Sequence, residues 1–162
     1  LKPVLKAALY IGDHSKDKFS VWLGWMLTRF GQYMSLLLRF KPTTYYKVTH
    51  TELILDENAD GSVTIASASV RDGGVRTKRN VFLTKENWII HETKWDVERA
   101  RAWFIEHDGA PYDWRGASVS WLPVIWSVDG HYFCSQADSA AVGLPHPETI
   151  TPCDFAKIVM SS

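Results

Sequence analysis

Cysteine is scarce in this chain. Cys134 and Cys153 are the only two among 162 residues, too few for a disulfide framework, although a single bridge between them is compatible with the sequence. Neither has a cysteine or histidine at metal-ligand spacing and the six histidines are scattered, so no metal and no cofactor is expected. A charge excess is also missing: 18 Lys and Arg balance 18 Asp and Glu, which removes any general pull toward nucleic acid or an anionic membrane. There is no clean apolar run of spanning length. Residues 21–40 come nearest, but Arg29, Gln32 and Arg39 interrupt them, so stable membrane insertion is not expected and a core-packed or surface-lying amphipathic helix is. No basic, then apolar, then small-residue leader is visible, and the first residue is not Met. The sequence does not fix the compartment; a cytoplasmic or phage-associated location is the expectation, or a periplasmic one if a leader was removed. Repeats and low-complexity linkers are absent, and the length suits one domain, residues 1–162. The Gly-rich segment 71–76 lacks the Lys-Ser/Thr pair of a P-loop and the dinucleotide glycine spacing, so it is not read as a phosphate cradle.

Aromatics, in contrast, are plentiful: eight Trp, seven Phe and six Tyr, suited to a groove for an extended or ring-bearing ligand and equally to filling a core. A short strand is expected over residues 5–11. A helix follows over about 16–39, with Phe19, Trp22, Leu23, Met26, Leu27 and Phe30 as one apolar stripe whose ordinary explanation is core packing. From residue 45 to 55 the period becomes two, placing Val48, His50, Glu52 and Ile54 on one strand face. Asp60-Gly61 marks a turn, and residues 62–70 form the return strand of a hairpin. If Leu55 pairs with Ser62, His50 lies opposite Ser67; a slip of one residue puts it opposite Ala68. Short strands follow over 81–83 and 88–90. Residues 93–96 have capping-box form before a helix ending near His107, and Thr151-Pro152 starts a last helix running to about Met160.

The stretch with most chemical content is 130–144. Phe133, Ala137, Ala140, Ala141 and Leu144 recur at helical spacing, with Gly143 and Pro145 as stop signals, so Cys134 falls at a helix N-terminus. Unpaired N–H groups and the helix dipole favour an anion there, and a thiolate is one. The plain alternative is a small buried core residue. A cysteine nucleophile needs a base, a group that orients the base, and donors for an oxyanion. His14, His91, His107, His131 and His146 fall at turns, element ends or the approach loop, and His107 and His146 read as surface residues. His50 alone sits inside a strand, with Glu52 two residues on and about 7 Å away in strand geometry. A strand histidine beside a glutamate is also a common structural pair.

Gly109-Ala110-Pro111-Tyr112-Asp113-Trp114-Arg115-Gly116, then Phe133-Cys134-Ser135, then Gly143-Leu144-Pro145, resemble the cysteine half of NlpC-type peptidases, papain-like enzymes that cleave amide bonds in bacterial cell-wall peptides. The family's usual order is cysteine first. Here Thr49-His50-Thr51-Glu52-Leu53 comes 84 residues before Cys134, an order similar to the circularly permuted, YiiX-like branch, which includes relatives of lecithin:retinol acyltransferase. The resemblance runs from about Thr49 to the C-terminus and takes in residues 67–76 and Ile150-Thr151-Pro152. It implies an α+β, papain-like fold: a small antiparallel sheet with the nucleophile at the N-terminus of a packed helix. It also implies a cysteine peptidase or amidase of bacterial or phage origin, acting on a peptide or peptidoglycan fragment through a Cys134 thiolate and a His50 base. The Cys134 N–H and the Tyr112 hydroxyl would stabilise the oxyanion, and the sulfur should lie within about 4 Å of an imidazole nitrogen. For the group behind His50, hairpin register points near Ser67, while Glu52 is chemically better suited; both stay candidates, as does a dyad. An acyl-ester or thioester hydrolase or acyltransferase acting on lipids is the second reading. A non-catalytic binding or structural module, for example of a phage particle, is the third. The sequence does not set the oligomeric state.

Overall fold

A computed structural model describes residues 4–12, 47–120 and 127–162, together with individual helical residues between 22 and 37. Five strands form one antiparallel sheet: β1 (Lys6–Tyr10), β2 (His50–Glu57), β3 (Val63–Ser69), β4 (Gly74–Val81) and β5 (Trp88–Glu92), in the spatial order β4-β3-β2-β1-β5. Four α-helices follow, α1 (Val97–Glu106), α2 (Trp114–Val119), α3 (Cys134–Val142) and α4 (Pro152–Met160), with a 3-10 turn at Pro147–Thr149. The chain is therefore α+β. No helix among the described residues is long and apolar enough to cross a membrane.

The main core lies between the sheet and the helices. Leu5, Ala7, Leu9, Leu53, Leu55, Ala66 and Ala68 meet Ala100 and Phe104 of α1, Ala137 and Ala141 of α3, and Phe155 and Val159 of α4. Ala137 and Ala141, one turn apart, face alanines on the sheet, and these small side chains let α3 lie close against β2 and β3. Phe104 and Phe155 are the large fillers on either side; deleting either ring costs about 3–5 kcal/mol by the usual cavity penalty. On the other sheet face, Ala8, Ile54, Val63 and Ile65 form a smaller cluster with Val81, Leu83 and Trp88.

Several local signals act as expected. Asp60-Gly61 makes the hairpin turn, with Gly61 at φ 83° and Asp60 accepting from the Ser62 N–H at 2.9 Å. Thr151 caps α4 and exchanges hydrogen bonds with Asp154, with Pro152 at the first helical position. Others differ. The cap of α1 is Asp96, which accepts from the N–H groups of Glu98 and Arg99, while Thr93 donates instead to the Leu5 carbonyl. Residues from Gly74 on are not a turn but strand β4. This is an edge strand whose outer half carries Thr77, Lys78, Arg79 and Asn80 exposed, which hides it from a search for apolar alternation. The cysteines are not bridged.

The hairpin register also differs. Leu53 pairs with Ala66 and Ile54 with Ile65, then a bulge leaves Leu55 out and Asp56 pairs with Thr64. Continuing the Leu53 register places Ser67 beside Glu52 rather than opposite His50. Of the expected 16–39 stripe, Phe19 and Leu27 lie outside the described residues. Trp22 and Leu23 are half-buried, but Met26 and Phe30 are exposed, so core packing does not account for those two. Helical spacing defines a face without specifying what covers it.

Candidate functional site

Strand β2 opens at His50, held next to Tyr10 of β1 by the antiparallel register, with its ring edge-on to Trp88 at 6.3 Å between centroids. Its Nε2 is hydrogen-bonded to Glu52 Oε1 at 2.8 Å, and the imidazole lies within electrostatic reach of the Cys134 thiol. With Nε2 occupied by Glu52, Nδ1 is the nitrogen left for sulfur. The structure thus brings Cys134, His50 and Glu52 into one chain. Burial works against a charged His50, but the negative charge of the nearby Cys134 thiolate and the hydrogen bond and charge of Glu52 lift it to about 10. The imidazole is therefore a strong proton acceptor.

Glu52 is held in turn. It is buried, and Arg76 of β4 grips both its oxygens through Nη1 and Nη2, with the Nη1 contact at 2.7 Å. Burial raises the Glu52 pKa, yet the Arg76 guanidinium outweighs it and, with His50, brings the value down to about 2. Arg76 also donates from Nε to Asp72 at 2.8 Å, and Asp72 receives Lys78 at 2.6 Å. The line Cys134–His50–Glu52–Arg76–Asp72–Lys78 alternates in charge from the buried thiol to the surface. Arg76 was not legible in the sequence, where it closes a Gly-rich stretch. The signal would have been β4 itself, whose register sets Arg76 opposite Ser67 and so next to Glu52.

Ser67 is not at His50. Its hydroxyl donates to the Cys134 carbonyl at 3.4 Å, tying β3 to the first turn of α3. Of the two candidates for the residue behind the histidine, Glu52 makes that contact and Ser67 does not.

Cys134 is the first residue of α3 and only 3% exposed. The first helical bond runs from Ala137 N–H to the Phe133 carbonyl, so the N–H groups of Cys134, Ser135 and Gln136 have no carbonyl within the helix. Gln136 folds back, accepting from the Phe133 N–H at 3.4 Å and donating to Ser127 at 3.0 Å. Ser127 donates to Asp113, a buried carboxylate that also accepts from the Gly116 and Val128 N–H groups. This network joins the start of α2 to the start of α3.

Tyr112 stands between them. Its N–H donates to Gly73, and the neighbouring Asp113 N–H to Tyr132, two residues before Cys134. Gly74 makes this approach possible: a Cβ there would lie 1.9 Å from the Ala110 carbonyl oxygen, and its φ is 159°. The Tyr112 phenol is pushed well above its ordinary value by burial and by Cys134 and Asp113, so it stays a protonated donor.

A cleft of about 440 Å³ opens over these groups. It is lined by Tyr10, His50 and Trp88, whose rings are in contact, by the Tyr112–Trp114 pair, and by Phe82 and Leu83, with Phe82 66% exposed. Cys134 is not on the cleft wall; His50 and Tyr112 are.

The other histidines lie elsewhere. His91 is level with Ala7 in β5, and His146 is exposed beside Glu148. His107 is not a free surface residue: it stacks on Trp103 at 4.0 Å. His131 is on the approach to α3, and His14 lies outside the described residues. No cluster of His, Cys, Asp or Glu among the described residues could hold a metal ion. Comparison with protein-family models, curated proteins and solved structures finds no match for the chain.

Proposed function

We propose that this chain is a cysteine hydrolase of the circularly permuted, NlpC-type papain-like class that cleaves amide bonds, with peptides of the bacterial cell wall as its substrate. The observation that carries the proposal is the single imidazole of His50, hydrogen-bonded to Glu52 and within electrostatic reach of the Cys134 thiol. His50 takes the thiol proton. The Cys134 thiolate attacks the carbonyl carbon, and the oxyanion is met by the Cys134 N–H and the Tyr112 hydroxyl. The tetrahedral species collapses, the C–N bond breaks and His50 passes its proton to the departing amine. Water, deprotonated by His50, then cleaves the acyl-cysteine and returns the thiol. Glu52, fixed by Arg76, orients the ring and balances its positive charge throughout.

Purified peptidoglycan should release free amino groups with the native chain and none with Cys134→Ala. Native protein without turnover on peptidoglycan would remove the substrate assignment. Phe82, Leu83 and Trp88 among the cleft-lining residues give a lipid acyl substrate an apolar foothold. Transfer of label from an acyl thioester or phospholipid to Cys134, with no amine release from peptidoglycan, would select that second reading.

A further inference from the structure

One buried titratable group has no part in this chemistry. Asp138 is the fourth residue after Cys134 on α3 and is completely buried. Its Oδ2 accepts from the Thr51 hydroxyl at 2.6 Å, and Thr51 lies between His50 and Glu52 on β2. Its Oδ1 has no hydrogen-bond partner among the described residues. The charged groups facing it are Glu52 and His50, both from β2; Ser67 of β3 offers a hydroxyl, and Cys134 is on its own helix. Arg99 of α1 sits at the far end of α3, over Gly143. His50 is already engaged by Cys134 and Glu52, and Glu52 repels a second carboxylate. A buried carboxylate with one oxygen unsatisfied is costly, whereas the neutral acid is far cheaper.

We propose that Asp138 is a positioning residue, a neutral carboxylic acid that pins the cysteine helix to the histidine strand through Thr51 and so holds the Cys134–His50 contact. This rests on the Cys134–His50 pairing proposed above. Consistent with it, burial, reinforced by Glu52, lifts the Asp138 pKa from its ordinary 3.8 to about 8. The folded state then holds this proton more tightly than the unfolded chain. The resulting stability is full below pH 3.8, falls as pH rises toward about 8, and levels off beyond it.

The test measures iodoacetamide modification of Cys134 in the native chain, Asp138→Asn, Asp138→Ala, Thr51→Val and His50→Ala, with unfolding followed against pH. Asparagine is the nearest neutral mimic, so Asp138→Asn should react within about threefold of the native rate at pH 7, while Asp138→Ala and Thr51→Val fall about tenfold or more, as loss of positioning does. The stability of the native chain relative to Asp138→Asn should decline between about pH 4 and 8 and then stay level. Native-like rates in both Asp138→Ala and Thr51→Val overturn the positioning role. Equal slowing of Asp138→Asn and Asp138→Ala, or a pH-independent stability difference, overturns the neutral acid. If Asp138→Ala does not fold, Thr51→Val decides from the strand side. A native rate unaffected by His50→Ala overturns the Cys134–His50 pairing itself and this proposal with it, an outcome distinct from the others.

Discussion

The two cysteines make a natural comparison. Each occupies the first turn of a helix, Cys134 opening α3 and Cys153 following Pro152 in α4, and each is buried. Each also faces the same stretch of chain before and within β2. Cys134 meets the imidazole of His50, whereas the Cys153 thiol meets the Val48 carbonyl at 3.5 Å. A carbonyl can only accept, so Cys153 stays protonated, and burial together with Asp154 pushes its pKa up to about 12. Helix position and burial are shared; the partner is not. A helix N-terminus alone therefore does not make a nucleophile here.

The sharpest way to break the comparison is turnover. Cys134→Ala should abolish hydrolysis, a loss of about a thousandfold or more, while Cys153→Ala stays within about twofold. A large loss from Cys153→Ala in a folded protein would reverse the roles. Next, His50→Ala should slow Cys134 alkylation about a hundredfold near neutral pH and leave Cys153 unreactive until the chain unfolds, as peptide mapping of the modified protein would show. Glu52→Gln should cost about 3–5 kcal/mol in denaturant unfolding, because it strips Arg76 of its buried partner. Gly74→Ala, which forces Ala110 and Pro111 away, should cost about 1–3 kcal/mol and lower turnover, without altering Cys153.

The smallest effects concern pH. Glu52 is depressed to about 2, so its stabilisation is complete above its ordinary 4.5 and is lost as pH falls toward 2; circular dichroism during acid titration would detect this as acid unfolding. His50 is raised to about 10, so its stabilisation is complete below its ordinary 6.5 and is lost as pH rises through about 10. In Cys134→Ala the His50 ring should titrate well below its native value by NMR, whereas Cys153→Ala should leave it unchanged.

Much of the site could be read from the chain because its parts announce themselves locally. Cys134 precedes a helical repeat with stop signals, and His50 and Glu52 sit on one face of an alternating strand. What could not be read depends on register and on distant partners. The hairpin closes with Glu57 on Val63 rather than Leu55 on Ser62, and together with the bulge at Leu55 this sets Ser67 beside Glu52 instead of opposite His50. Arg76 lies on an edge strand masked by Gly73-Gly74 and by its own charges. Asp138 looks like any polar residue on a helix until α3 is laid against Thr51. The α+β class was what the resemblance implied, while the change of period at residues 45–70 marked only the strands of the hairpin; helix α2 was not foreseen, because its six residues begin in an aromatic cluster with a glycine at the third position.

The order of the groups along the chain has an engineering consequence. His50, Glu52, Ser67 and Arg76 all precede the exposed turn at Lys85-Glu86, and Tyr112, Cys134 and Asp138 all follow it. A break at that turn would put the histidine and the cysteine on separate polypeptides, with β1–β5 pairing and the α3–sheet contact left to reunite them. Cut there, the proposed dependence of Cys134 reactivity on His50 is expected only when the halves associate, and Cys153 is hidden again only in that complex.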